Sequence, residues 1–175
     1  MNRGTAATVG HRPVLTISEG RASDLNEVLA LLTASGLQAD GVHEHIADFL
    51  VAREDSRVIA VAALEDYRVA GLLRSVAVSP DRRQWGLGRY LTRALIGRSR
   101  QRGHAGLYLL TDTAQAYFER FGFRPIDRSA VRPAVLASVQ FQEESCKSSV
   151  VMVMEFGKGL RSGRRSDGSS GHARC

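Results

Sequence analysis

From residue 13 to residue 156 the chain alternates apolar runs with polar breaks, and the runs have two periods. Pro13-Val-Leu-Thr-Ile17, Phe49 to Arg53, Val58 to Leu64, Leu72 to Val78 and Leu107 to Thr111 are short, β-branched and aliphatic. That pattern predicts strands, and Phe123 to Ile126 begins another. Glu54-Asp-Ser-Arg57 is a hairpin-sized polar turn between two of them. The helical period appears three times. Leu25, Val28, Leu29 and Leu32 form one stripe, which Ser23 caps and Gly36 stops. Leu87, Tyr90, Leu91, Ala94 and Leu95 form a second, from near Gly86 to Gly103. Thr113 to Phe121 is a short third helix ending at Gly122. Strands alternating with helices predict a layered α/β domain; because the first strands read as meander neighbours, the sheet is expected to be mixed.

The stretch Leu72 to Tyr90 organises the rest. Pro80 removes the backbone donor a continuing central strand needs, so the strand ends near Val78 or Ser79 and the chain restarts as a helix. The turn between, Arg83-x-x-Gly86-x-Gly88, places two glycines at a helix start. Their missing Cβ atoms admit a ligand to the backbone, and the free N–H groups of the first turn favour an anion there. Phosphate suits that geometry, with Arg82, Arg83 and Arg89 flanking it. An ordinary loop glycine pair reads the same way. The dinucleotide fingerprint fits poorly, since Leu91 stands where its third glycine belongs, and the P-loop pattern is absent.

Composition narrows the classes. The chain's 175 residues, 43% of them hydrophobic, suffice for one domain with a sizeable core and are too few for two of typical size. The formal charge is +6, but Lys158, Arg161, Arg164, Arg165 and Arg174 against Asp167 put +4 of it after Phe156, leaving +2 for the rest. The expected organisation is a flexible leader over 1–12, one domain over 13–156 and a disordered basic tail over 157–175. Five basic residues without interleaved aromatics point to no specific nucleic acid. With only Cys146 and Cys175 there is no disulfide framework, and no run approaches a membrane span. The simple expectation is a cytoplasmic protein without a membrane partner. His43 and His45, two apart, diverge on a helix, so no metal site is expected.

Val76-Ala-Val-Ser-Pro80, then Arg83-Gln-Trp-Gly-Leu-Gly88, then Ala114-x-x-Tyr-Phe-Glu-Arg-Phe-Gly-Phe123, resemble the acetyl-CoA-binding core of the GCN5-related N-acetyltransferase (GNAT) superfamily. More narrowly, Leu72-Leu-Arg-Ser-Val-Ala-Val, Leu107-Tyr-Leu-Leu-Thr111, Phe118-x-Arg-Phe-Gly-Phe-Arg-Pro125 and Ser145-Cys-x-Ser-Ser-Val150 resemble the N-acetyltransferases linked to arsenic-resistance operons. The resemblance implies a GNAT-like acyl-CoA N-acyltransferase fold, a central mixed β-sheet flanked by about four helices. It also implies acetyl-CoA as co-substrate and a small-molecule primary amine as acceptor, an arsenic-containing or phosphinate-like amino acid. Self-association into a homodimer stays open.

By the same resemblance Arg83, Gln84, Trp85, Gly86, Leu87, Gly88 and Arg89 hold the pyrophosphate. Val76, Ala77 and Val78 then run beside the pantetheine, with the Val76 N–H polarising the thioester carbonyl. Glu65, just past its strand, is a candidate base or a grip for the acceptor's ammonium group; as a solvated turn residue it does neither. Arg74, a charge in an apolar strand, binds the acceptor's acid group or forms a salt bridge within the fold. His43 belongs to a segment lying over the acceptor side. Where many relatives place a thiolate-protonating tyrosine four residues before the Gly-Phe glycine, this chain has Phe118, with Tyr117 about 100° around the helix. Tyr117 is the candidate acid if the helix is rotated, and otherwise a core or surface tyrosine. The competing reading is a non-catalytic module that senses acetyl-CoA or an arsenical.

Overall fold

The computed structural model describes residues 13–143 and 146–157. The expected leader, the expected tail from Lys158 onward, and Ser145 of the late motif lie outside the described residues. The strands are β1 (Leu15–Glu19), β2 (Phe49–Glu54), β3 (Arg57–Asp66), β4 (Gly71–Val78), β5 (Gly106–Thr111), β6 (Arg124–Ile126) and β7 (Val150–Glu155). The helices are α1 (Leu25–Ala34), α2 (Leu87–Gln101), α3 (Gln115–Glu119), α4 (Pro133–Leu136) and α5 (Val139–Gln142), with 3-10 turns between some of them. One mixed sheet runs in the order β1-β2-β3-β4-β5-β7-β6. Its first four strands are an antiparallel meander, as the polar turns between them imply. β4 and β5 are parallel, because α2 carries the chain across one face between them.

α2 buries Leu87, Leu91, Leu95 and Ile96 against β3, β4 and β5. Each fully buried leucine is worth ~1.5–3 kcal/mol of transfer free energy, enough to override the helix's polar average. Tyr90, expected on that stripe, is instead 59% exposed, since the buried face is centred on the i, i+4 row of Leu87, Leu91 and Leu95. In α1 the buried residues are Val28, Leu31 and Leu32, with Leu25 and Leu29 at the margin. Ser23 does not cap it. Asp24 takes that place, accepting the Arg21 N–H at 2.7 Å and pairing with Arg53 of β2. α1 lies on the sheet face opposite α2, and α4 and α5 cover the rest of that opposite face around Leu72, Tyr108 and Phe141. The stretch from Asp127 to Ser149 carries no strong period, and β7, which the sequence pattern does not announce, inserts between β5 and β6.

Two irregularities shape the middle of the sheet. Val61 pairs with Ala77 but Ala63 with Arg74, so β4 spends one more residue than β3 over that interval. Ser75 sits in the bulge at φ 57°, a left-handed conformation unusual for a residue with a side chain. The extra residue reverses the alternation: Leu73, Val76 and Val78 face α2, while Leu72 and Ala77 face the other side. The second irregularity is that β4 and β5 pair only at Gly71 with Leu107 and Leu72 with Tyr108. Beyond Leu72 the strands part, and that edge of β4 has no strand partner.

Candidate active site

The parting of β4 and β5 opens a cleft of about 900 Å³ through the sheet. One end is the turn that follows β4. Ser79 and Pro80 stop the strand, and a 3-10 turn over Pro80–Trp85 leads to Gly86 at φ 74°. Only glycine takes that conformation readily, and α2 starts there without a side-chain cap. A Cβ on Gly88 would stand 3.3 Å from both Tyr117 Oη and Val78 Cγ2, so the missing side chain keeps this corner open. Arg83 and Arg89 line the cleft, are exposed, and have no ion-pair partner among the described residues. Arg82 points elsewhere, with Nη2 2.7 Å from Glu54 Oε2, Nη1 2.9 Å from Asp81, and the guanidinium 4.7 Å over the Trp85 ring. Asp81 is held at about 2 by Arg57 and then Ser79, so this carboxylate stays charged and braces the turn. Of the sequence-predicted cofactor residues, Val76, Ala77, Val78, Arg83, Gly86, Gly88 and Arg89 line the cleft. Gln84 and Trp85 are exposed outside it, and Leu87 is buried in the core.

Tyr117 reaches the same space from α3. Its ring packs edge-on against Phe118 and Phe121 at centroid distances of 5.0 and 5.1 Å, and its hydroxyl is buried without a hydrogen-bond partner among the described residues. Phe118, at the position where relatives carry the tyrosine, packs into the core against Phe123. Both residues border the cleft, Phe118 from the core it fills and Tyr117 with its hydroxyl beside Gly88. A buried hydroxyl lacking a partner costs ~1–3 kcal/mol, and such groups concentrate where a ligand completes them.

On the opposite face Arg74, two residues along the regular ladder from Leu72, reaches the cleft wall. Its side chain is 2% exposed; Nη1 meets Glu65 Oε1 at 2.7 Å, Nη2 donates to the Asp40 carbonyl at 2.7 Å and Nε to Ser75 Oγ at 3.2 Å. A guanidinium has five N–H donors, so two remain. Glu65 does not line the cleft. Its second oxygen accepts the Tyr67 hydroxyl at 2.6 Å, and burial followed by that bond pushes the Tyr67 pKa upward. The carboxylate is thus engaged on both oxygens, neither a solvated turn residue nor free to face an amine. His43 is exposed and outside the cleft, while His45 Nδ1 lies 3.1 Å from Asp48. Loop residues Ser35 to Gln38, with Gln140, Cys146 and Ser149, complete this end. The sequence reading did not single out Gln140, which sits in the stretch without a period, and it quoted Ser149 within the late motif without giving it a role. Cys146 is buried, as expected of a structural thiol, yet it touches the cleft.

Comparison with known proteins agrees with this geometry. Residues 45–125 match the family model described as Acetyltransferase (GNAT) domain. The amino-acid acetyltransferase of Edwardsiella ictaluri is 27% identical over 138 residues, covering 74% of this chain and 31% of that protein. Its Pseudomonas putida counterpart is 28% identical over 157 residues, covering 82% and 35%. Among solved structures, N-acetylglutamate synthase from Neisseria gonorrhoeae, complexed with coenzyme A and N-acetyl-glutamate, superposes with a TM-score of 0.71 at 20% identity, covering 84% of this chain and 36% of that one. Rv2747 from Mycobacterium tuberculosis, in complex with CoA, gives 0.68 at 19% identity, covering 81% and 99%. The chain has the GNAT fold of these solved structures, and the family match lies within its central 81 residues. It spans about a third of the length of these curated relatives. Among the described residues, no helix is long and apolar enough to cross a membrane.

Proposed function

We propose that the protein is an acetyl-CoA-dependent N-acetyltransferase acting on the primary amine of a small acid-bearing molecule, an amino acid or close analogue. One observation carries the reading: the cleft between the parted strands joins an uncapped helix start, flanked by Arg83 and Arg89, to a buried tyrosine hydroxyl. Among the described residues the two arginines have no ion-pair partner and the hydroxyl no hydrogen-bond partner. The residues fit the co-substrate. Arg83, Arg89 and the first turn of α2 suit a pyrophosphate. The unpaired β4 edge offers backbone groups to an extended amide-bearing arm, and Gly88 leaves room where a Cβ would crowd Tyr117. Bound there, acetyl-CoA supplies an activated acetyl group as its thioester.

The chain's own residues do the rest. The β4 bulge leaves backbone N–H groups near Val76 for a developing oxyanion. Tyr117 holds a proton at Oη for the leaving sulfur. Arg74, braced by Glu65, keeps two donors for the acceptor's acid group. Direct attack needs no covalent enzyme intermediate, so Cys146 has no step, and positioning contributes much of the acceleration, up to ~7–11 kcal/mol in ideal cases. Within this class, the resemblance of the Leu72–Val78 and Cys146–Val150 segments favours an arsenic-containing or phosphinate-like amino acid. Calorimetry with CoA, then thiol release across a panel of amino acids, phosphinates, arsenicals and basic peptides, tests the reading. No heat at millimolar CoA, or turnover of peptides alone, overturns it.

A further inference from the structure

Among the described residues, two buried polar atoms along the cleft lack a hydrogen-bond partner: Tyr117 Oη and Gln140 Oε1. They come from opposite faces of the sheet. Tyr117 is on α3 and packs with the α2-side core, whereas α5 packs through Phe141 on the face that carries Leu72 and Tyr108. Gln140 therefore stands on the same side of the sheet as Arg74, and both line the cleft with Ser149. An amide oxygen out of water without a donor carries the desolvation cost of an unmade hydrogen bond. A ligand bearing N–H removes that cost.

We infer that Gln140 Oε1 receives the acceptor's amine while Arg74 receives its acid group, so the acceptor class is an amino acid held at both ends. The inference rests on the acetyltransferase reading and deepens it. A neutral amide also suits the chemistry better than a carboxylate. Asp112, beyond the end of β5, is the only acidic residue lining the cleft among the described residues. A carboxylate beside the amine stabilises ammonium and raises its pKa, while an amide oxygen orients the nitrogen with less bias towards the charged form. The nitrogen therefore gives up its proton more readily before it attacks.

The test begins with the twenty protein L-amino acids and phosphinate- and arsenic-bearing amino acids, turned over with acetyl-CoA and followed by thiol release. The best of them is then titrated calorimetrically into the CoA-bound protein, where no transfer occurs. Gln140→Leu is expected to weaken its binding about tenfold or more, the range for a hydrogen bond to a charged group, and to leave CoA binding unchanged. Gln140→Glu is expected to bind the amino acid more tightly than the wild type yet turn over more slowly at neutral pH, with the acidic limb of the rate profile moved upward, because the ammonium form is now held. A purely structural Gln140 gives neither the opposed changes in affinity and rate nor the moved limb. Unchanged affinity in Gln140→Leu, or weaker binding in Gln140→Glu than in the wild type, overturns the assignment. If CoA binds but neither the protein amino acids nor their phosphinate- and arsenic-bearing analogues are turned over, the acceptor class is wrong while the cofactor reading stands; absence of CoA binding itself condemns the latter.

Discussion

Arg74 and Glu65, on adjacent antiparallel strands, form an ion pair of 2.7 Å in which both side chains are at least 96% buried. The pair converts Glu65 from a candidate base into the support of a cleft residue. Breaking a buried pair by removing one partner leaves an uncompensated charge and costs ~3–5 kcal/mol. Glu65→Gln keeps the shape and the Tyr67 contact, so it is expected to fold with a lowered midpoint in urea. Its KM for the acceptor should rise, with the acidic limb of kcat in place. A displaced acidic limb would restore the base role.

Much of this was legible beforehand. The proline-stopped strand, Gly86 and Gly88 are local signals, because backbone chemistry dictates them wherever the rest of the chain lies. A salt bridge of Arg74 was readable only as an alternative and its partner was not, because Glu65 meets it diagonally across a strand pair whose register periodicity does not encode. Gln140 was illegible: α4 and α5 are single turns without an amphipathic period, and their place is fixed by packing on Leu72 and Tyr108. Whether Tyr117 reaches the cleft turned on a helix rotation of about 100°, which tertiary packing decides.

Tyr117→Phe should separate stability from chemistry. The hydroxyl has no partner to lose, so thermal unfolding is expected at the same temperature or slightly higher. If Oη protonates the leaving sulfur, kcat falls by ~10²-fold or more with acceptor KM little changed. An unchanged kcat leaves Tyr117 a packing residue.

The two glycines of the turn should fail differently. Gly86→Ala meets no neighbouring atom but forces a side chain into the left-handed region, costing ~1–2 kcal/mol in stability. Gly88 is helical, so Gly88→Ala costs little there, yet its methyl lands 3.3 Å from Tyr117 Oη and Val78. Weakened CoA binding at near-wild-type stability is expected for Gly88→Ala, and urea titration beside calorimetry distinguishes the pair. Equal CoA affinity in Gly88→Ala and wild type would show that the corner is not part of the cofactor's path.

Acid sensitivity should centre on Asp24 and Arg53, which join α1 to β2 and, through Arg53 Nη1 and Ser18 Oγ at 2.9 Å, to β1. Burial alone raises the Asp24 pKa, but the Arg53 hydrogen bond, the Arg21 backbone N–H and the two guanidinium charges outweigh it and hold the group below 3.8. A carboxylate depressed in the folded state contributes stability above its unfolded pKa and loses it as pH falls through the folded one. The contribution is therefore complete above about pH 5 and declines below the ordinary carboxylate value of ~3.9. Asp24→Asn keeps an acceptor oxygen for Arg53 but discards the charge, so at pH 7 it should be less stable by ~3 kcal/mol, the low end for a broken buried pair because these side chains are about a tenth exposed. As the wild-type carboxyl protonates, the two proteins become electrostatically alike at this site, and the gap between their urea midpoints should close towards pH 2. A gap that stays constant from pH 7 to pH 2 would mean that Asp24 acts through its hydrogen-bond geometry and not through its charge.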